Sequence, residues 1–109
     1  MRNLTAYLAI IVLLMCGAMS LAFESKESSG QITIDSFRFA PQNLTVKAGA
    51  TVTWINKDDV PHTVVSNEKR FRSGVIETGG RFSFTFSNPG TYEYFCSVHP
   101  QMTGKVIVQ

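Results

Sequence analysis

After Gln31 the chain is a series of short runs in which apolar and polar residues alternate one by one, separated by turn residues, and no stretch there keeps helical spacing. Successive side chains of a strand point to opposite faces, so each such run has one face to bury. Phe82, Phe84 and Phe86 share a side of the run Arg81 to Phe86. Tyr92, Tyr94 and Cys96 share a side of the run Gly90 to Cys96, with Phe95 opposite. Val52, Trp54 and Asn56 share a face of Thr51 to Asn56. Shorter runs are Ile32 to Phe39, Leu44 to Val46, His62 to Val65 and Gly104 to Val108. Turn residues separate them, among them Lys47-Ala48-Gly49-Ala50 and Asn56-Lys57-Asp58-Asp59. Short strands at this spacing predict an all-β antiparallel sandwich or barrel. Ser66 to Gly80 is the least regular part and predicts a loop with one short strand around Val75.

The first 22 residues follow another logic. Arg2 is the only charge before Glu24, Leu4 to Met15 is almost wholly apolar, and Ser20-Leu21-Ala22 resembles a small-residue cleavage site. That layout predicts an export signal over residues 1–22, with a mature start near Phe23. An uncleaved membrane anchor is the second reading, since roughly 20 apolar residues span a bilayer. Lipidation at Cys16 is the third, with Met15 where a small residue is expected. All three place the domain outside the cytoplasm. Glu24 to Gly30 is polar and lacks periodicity, so residues 23–30 read as a tether and 31–109 as one domain.

Export gives the cysteines meaning. Without Cys16 the only thiol is Cys96, which then has no disulfide partner in an oxidising compartment. Cys96-Ser97-Val98-His99-Pro100-Gln101-Met102 sets a thiol, an imidazole and a thioether three residues apart. The other histidine of the chain is His62, in Val60-Pro61-His62-Thr63-Val64. A strand end at Cys96 points inward with Tyr92 and Tyr94, and Pro100 stiffens the loop that brings His99 and Met102 back. Soft sulfur selects copper(I), imidazole suits copper in both oxidation states, and His₂Cys with a weak axial Met is a blue-copper donor set.

Other readings fit less well. Each of these residues alone is more often structural: a satisfied histidine, a core methionine, a small buried cysteine. Zinc favours more thiolates in structural sites and an open water position in catalytic ones. A Cys96 nucleophile with His62 or His99 as base lacks an evident acidic or amide orienter near either histidine. After Arg2 is set aside from the ten Lys and Arg, nine oppose eight Asp and Glu. That balance gives no case for nucleic acid. Lys69, Arg70 and Arg72 form a basic cluster, read first as a solvated loop and second as a steering patch for an acidic partner.

From about Gln31 to Gln109 the chain resembles the cupredoxins, the type 1 blue copper proteins of the plastocyanin/azurin family. The resemblance rests on Phe39-Ala40-Pro41 through Gly49, Thr51 to Asn56, Pro61-His62-Thr63-Val64 and Gly90 to Cys96. The short Cys-x-x-His-x-x-Met loop is most similar to that of the amicyanins. The resemblance implies an eight-strand-class Greek-key β-sandwich. It implies one copper ion, held strongly by His62, Cys96 and His99 and axially by Met102. It implies a one-electron carrier, monomeric and not an enzyme, that docks redox donor and acceptor proteins near His99, on a patch including Val98, Pro100 and Gln101. A copper-binding or copper-delivery protein is the alternative. Many relatives have Asn after the first ligand histidine, tying the two ligand loops together. Here Thr63 stands there, which leaves the backbone N–H to reach the Cys96 sulfur and the side-chain tie an open question.

Overall fold

A computed structural model describes residues 27–109, and the segment 1–22 with Cys16 lies outside them. Among the described residues there are seven strands and no helix. They are β1 (Glu27–Asp35), β2 (Arg38–Ala40), β3 (Asn43–Asn56), β4 (Val65–Ser66), β5 (Arg81–Phe86), β6 (Gly90–Phe95) and β7 (Thr103–Val108).

β3 joins two layers. Its first half runs parallel to β7 through Asn43↔Lys105 to Val46↔Val108. Its second half lies between β1, parallel, and β5, antiparallel, with Trp54 opposite Ile32 on one side and Phe82 on the other. β2 extends the β1 edge, and β7 continues to β6 and β4. The chain is thus the all-β sandwich expected, but with seven described strands rather than eight. The β1–β3 and β3–β7 pairs are parallel where antiparallel pairing is expected, since β3 takes a partner in each layer. The runs 44–46 and 51–56 are one strand rather than two, because Gly49 takes φ 93° and bends the strand instead of ending it.

The core forms between the layers. Ile32, Ile34, Val52 and Trp54 meet Val46, Tyr94, Val106 and Val108, all 3% exposed or less. Burying one such side chain contributes about 1.5–3 kcal/mol. Trp54 is the hub, with its ring 5.3 Å from Tyr94, 5.6 Å from Phe82 and 5.8 Å from Phe71. The alternation of β5 and β6 is as expected: Phe86, Tyr94 and Cys96 are buried, and Phe82 and Phe84 are half-buried. On the outer face, hydroxyl pairs Thr51–Thr85 and Thr53–Ser83, each 2.7 Å, zip β3 to β5. Gly104 is required in β7, since a Cβ there would collide with the Tyr94 ring.

Three local readings change. β1 starts at Glu27, inside the stretch read as a tether. Backbone pairing with β3 holds it there, and Gly30 is a close approach rather than a turn: a Cβ would lie 2.7 Å from Leu44 Cδ2. The run 32–39 is a hairpin, turning at Ser36-Phe37 between the paired Asp35 and Arg38. Both turn residues have positive φ, 53° and 58°. The strand expected at 62–65 shrinks to β4, and His62 instead bridges Ile76 in the 66–80 loop.

Candidate metal centre

His62, Cys96 and His99 converge at one end of the sandwich, their donor atoms all within 4.8 Å of one another. Cys96 follows directly on β6, whose alternation turns it inward, and it is fully buried with His62. Its sulfur lies 3.6 Å from His62 Nδ1. His99 is half-buried, with its ring 5.2 Å from that of His62. Met102 is 4% exposed and closes the loop: Cys96 N–H donates to the Met102 carbonyl at 3.1 Å, and Met102 N–H to the His99 carbonyl at 2.9 Å.

The sulfur environment favours a thiolate. Burial alone pushes the Cys96 thiol up. The Thr63 N–H, the His62 ring whenever its Nδ1 carries a proton, and the N–H groups of His99 and Val98 outweigh it, and the value falls to about 6. The Thr63 N–H lies 3.4 Å from the sulfur. The open question about Thr63 is answered by its hydroxyl. Ser97 N–H donates to Thr63 Oγ1 at 2.7 Å, and the two hydroxyls are also 2.7 Å apart. Threonine thus makes the side-chain tie between the two loops.

The His62 side is built by residues that sequence reasoning missed. Asn56, fully buried, donates to the carbonyls of Val60 and Ile76, both at 2.9 Å, and accepts from Asp58 N–H at 2.9 Å. Asp58 Oδ2 lies 2.8 Å from His62 Nε2. The expectation that neither histidine has an acidic orienter is therefore wrong. The available signal was a carboxylate four positions before His62, hidden in what read as a solvated turn. Burial works to raise the Asp58 pKa, but the Phe37 N–H, the His62 ring and the Ser36 N–H together hold it below the usual carboxylate range. Phe37 is the third missed residue. Its ring packs edge-on against His62 at 5.6 Å and His99 at 5.0 Å.

An Asp–His–Cys chain invites comparison with a nucleophile, but Cys96 is fully buried. Clefts of about 540 and 390 Å³ lie elsewhere and include none of the four candidate donors. The donor chemistry fits a metal instead. His99 Nδ1 is buried without a hydrogen-bond partner, beside a thiol that favours the charged form and an imidazole whose Nδ1 is turned toward it. One soft thiolate, two imidazoles and a buried thioether suit a single copper ion of the type 1 kind.

Comparison with known proteins agrees. Residues 6–108 match the cupredoxin-like domain family. The chain is 34% identical to amicyanin-alpha of Methylorubrum extorquens over 101 residues, covering 88% of this chain and 85% of that one. It is 37% identical to plastocyanin of Scenedesmus fuscus over 84 residues, covering 65% and 86%. Among solved structures, a purple cupredoxin from Nitrosopumilus maritimus superposes with TM-score 0.71 at 36% identity, covering 73% of this chain and 99% of that one. A reduced Cu(I) form of an amicyanin variant gives 0.69 at 33%, covering 79% and 87%. The chain belongs to the cupredoxin family.

Proposed function

We propose that this protein is a one-electron carrier whose redox centre is one copper ion held by His62, Cys96 and His99, with Met102 as the weak axial donor. The observation that carries this reading is the buried convergence of one thiol and two imidazoles from segments 34 positions apart. Bound copper would supply the Cu(I)/Cu(II) couple, and solved amicyanin variants include both reduced Cu(I) and oxidised forms. The chain supplies a fixed frame: two strand-borne loops, tied through Thr63 and Ser97, hold the donors with little freedom to move between states.

Among the described residues the exposed large apolar side chains are Phe37, Val75 and Val98, and Phe37 and Val98 border the site. Phe37 packs on both histidines, and Val98 precedes His99. These two form the rim on which donor and acceptor proteins dock in brief encounters, which need only small interfaces. The electron then passes by way of His99, the half-buried donor. Residues 1–22 direct export, so the monomeric domain works outside the cytoplasm.

The visible spectrum tests the reading. Cu(II) added to the purified protein is expected to give an intense blue to green thiolate-to-copper band. The band is absent in Cys96→Ser and is bleached reversibly by reductant. A colourless protein that holds only Cu(I), as a delivery protein would, or one that prefers Zn(II), overturns it.

A further inference from the structure

The carrier reading uses His62, Cys96, His99 and Met102 and gives Asp58 no task. Yet this carboxylate is well connected. It is 9% exposed and faces three nitrogens: His62 Nε2 at 2.8 Å, Ser36 N at 2.7 Å and Phe37 N at 2.9 Å. The two backbone N–H groups belong to consecutive residues at positive φ, the pattern of a type I′ hairpin turn. That turn normally takes Asn-Gly or Asp-Gly, and a bulky aromatic at positive φ is rare. Ser-Phe holds the conformation here with both amides bonded to one buried anion 21–22 positions away.

The histidine contact has its own logic. A neutral imidazole carries one ring proton. Asp58 Oδ2 is 2.8 Å from Nε2, whereas the Cys96 sulfur is 3.6 Å from Nδ1. The short contact to a carboxylate oxygen takes the proton, and the Nδ1 lone pair is left facing Cys96 and His99.

We propose that Asp58 is a positioning residue that sets the metal centre from two directions at once. It locks His62 as the Nε2–H tautomer and strengthens Nδ1 as a donor. The same carboxylate holds the Ser36-Phe37 turn that seats the Phe37 ring against His62 and His99. Carboxylate partners raise the basicity of ligating histidines. A buried anion beside the site also favours the more highly charged Cu(II) over Cu(I). Asp58 therefore lowers the reduction potential of the centre, a consequence that rests on the carrier reading. The tautomer and the turn stand without metal.

The experiment compares the wild-type protein with Asp58→Asn, metal-free and copper-loaded. Long-range ¹H–¹⁵N spectra of the metal-free wild type at about pH 9, well above the ordinary imidazole value, should show His62 protonated at Nε2. Amide exchange should show Ser36 and Phe37 protected. In Asp58→Asn the tautomer should become mixed, and both amides should exchange at least tenfold faster while those of Trp54 and Val106 do not change. The copper-loaded variant should keep its colour, with its Cu(II)/Cu(I) affinity ratio shifted about tenfold toward Cu(I), equal to about 59 mV upward for one electron. A purely structural role would lower stability without moving the potential. An Nδ1–H tautomer in the wild type, unprotected Ser36 and Phe37 amides, or an affinity ratio unchanged within twofold overturns the proposal. If Asp58→Asn does not fold, the wild-type tautomer and amide protection decide it. If the wild type takes up no copper with colour, the carrier reading falls and the redox consequence with it, and the metal-free spectra still decide the positioning role.

Discussion

The two segments that meet at the metal centre are built in opposite ways. The His62 segment is held from outside. His62 and Ile76 exchange backbone hydrogen bonds at 3.1 and 2.8 Å, Val64 N–H donates to Ser73 Oγ at 2.7 Å, and Asn56 and Asp58 brace it from the end of β3 and the turn beyond. The Thr78 hydroxyl adds a bond to the Asp58 carbonyl at 2.6 Å. The Cys96–Met102 loop is held mainly by itself, through the two short backbone bonds from Cys96 to Met102 and from Met102 to His99. The short side-chain bonds that tie it to the other segment are those of Ser97 with Thr63, beside the longer contacts of the Cys96 sulfur with Thr63 and His62. One donor is thus placed by the whole fold, and the others by their spacing in a seven-residue loop. The two halves should fail differently.

The largest expected effect comes from emptying one histidine at a time. His62→Gly and His99→Gly should both lose the blue band on adding Cu(II). Excess free imidazole should restore it in His99→Gly, where the lost ring was half-buried and Nδ1 had no other partner. It should not restore it in His62→Gly, where the space is closed and the imidazole must also match Asp58. Equal recovery in both variants, read in the visible spectrum, would break the comparison. Next comes Asn56→Ala, which leaves Asp58 N–H and the carbonyls of Val60 and Ile76 without that partner. Unsatisfied buried groups of this kind cost about 1–3 kcal/mol each, partly regained by water, so a loss of about 2–4 kcal/mol is expected in urea unfolding. Gln101→Ala, on the exposed side of the other loop, should stay within about 0.5 kcal/mol. Similar costs at the two positions would remove the distinction between an externally built and a self-built segment.

The same contrast explains what the chain reveals before it is folded. Cys96, His99 and Met102 are legible because their spacing is local and their chemistry is rare in so short a stretch. The inward phase of Cys96 follows from Tyr92 and Tyr94. The braces of His62 are not legible, because the near one, Asp58, is hidden in a turn and most of the bonds that fix the others run to partners far along the chain. Asp58 sits in Lys57-Asp58-Asp59, where acidic residues are ordinarily solvated. The Ser36-Phe37 turn has no Gly or Asn to announce it, because the compensating acceptor lies more than 20 positions away. Gly49 carries a turn signal and serves as a bend within β3, a distinction that only the pairing with β7 and β1 decides. Ser28-Ser29-Gly30 reads as linker, because an exposed edge strand needs backbone pairing more than an apolar face.

At the seam between the halves a smaller loss than that of Asn56→Ala is expected. Thr63→Val keeps the shape and the backbone N–H that points to Cys96, but removes the oxygen that accepts from Ser97 N–H. Losing that bond should cost the metal-free protein about 1–2 kcal/mol. The thiol should be almost untouched, because its support comes chiefly from the backbone N–H groups of Thr63, His99 and Val98. The pH dependence separates the two effects. Folded Cys96 titrates at about 6, below the ordinary thiol value of about 8.5 in the unfolded chain. Between these values the unfolded state binds more protons, so stability rises with pH; it is fully present above the unfolded value and lost as pH falls through 6. The Cys96 contribution is the difference between each protein and its Cys96→Ser counterpart across this window. Wild type and Thr63→Val should give parallel curves, offset by the cost of the tie. A flattened curve in Thr63→Val would mean that the hydroxyl, 3.8 Å from the sulfur, sustains the thiolate as well as the seam. The loop would then depend on its neighbour for its chemistry as well as its place.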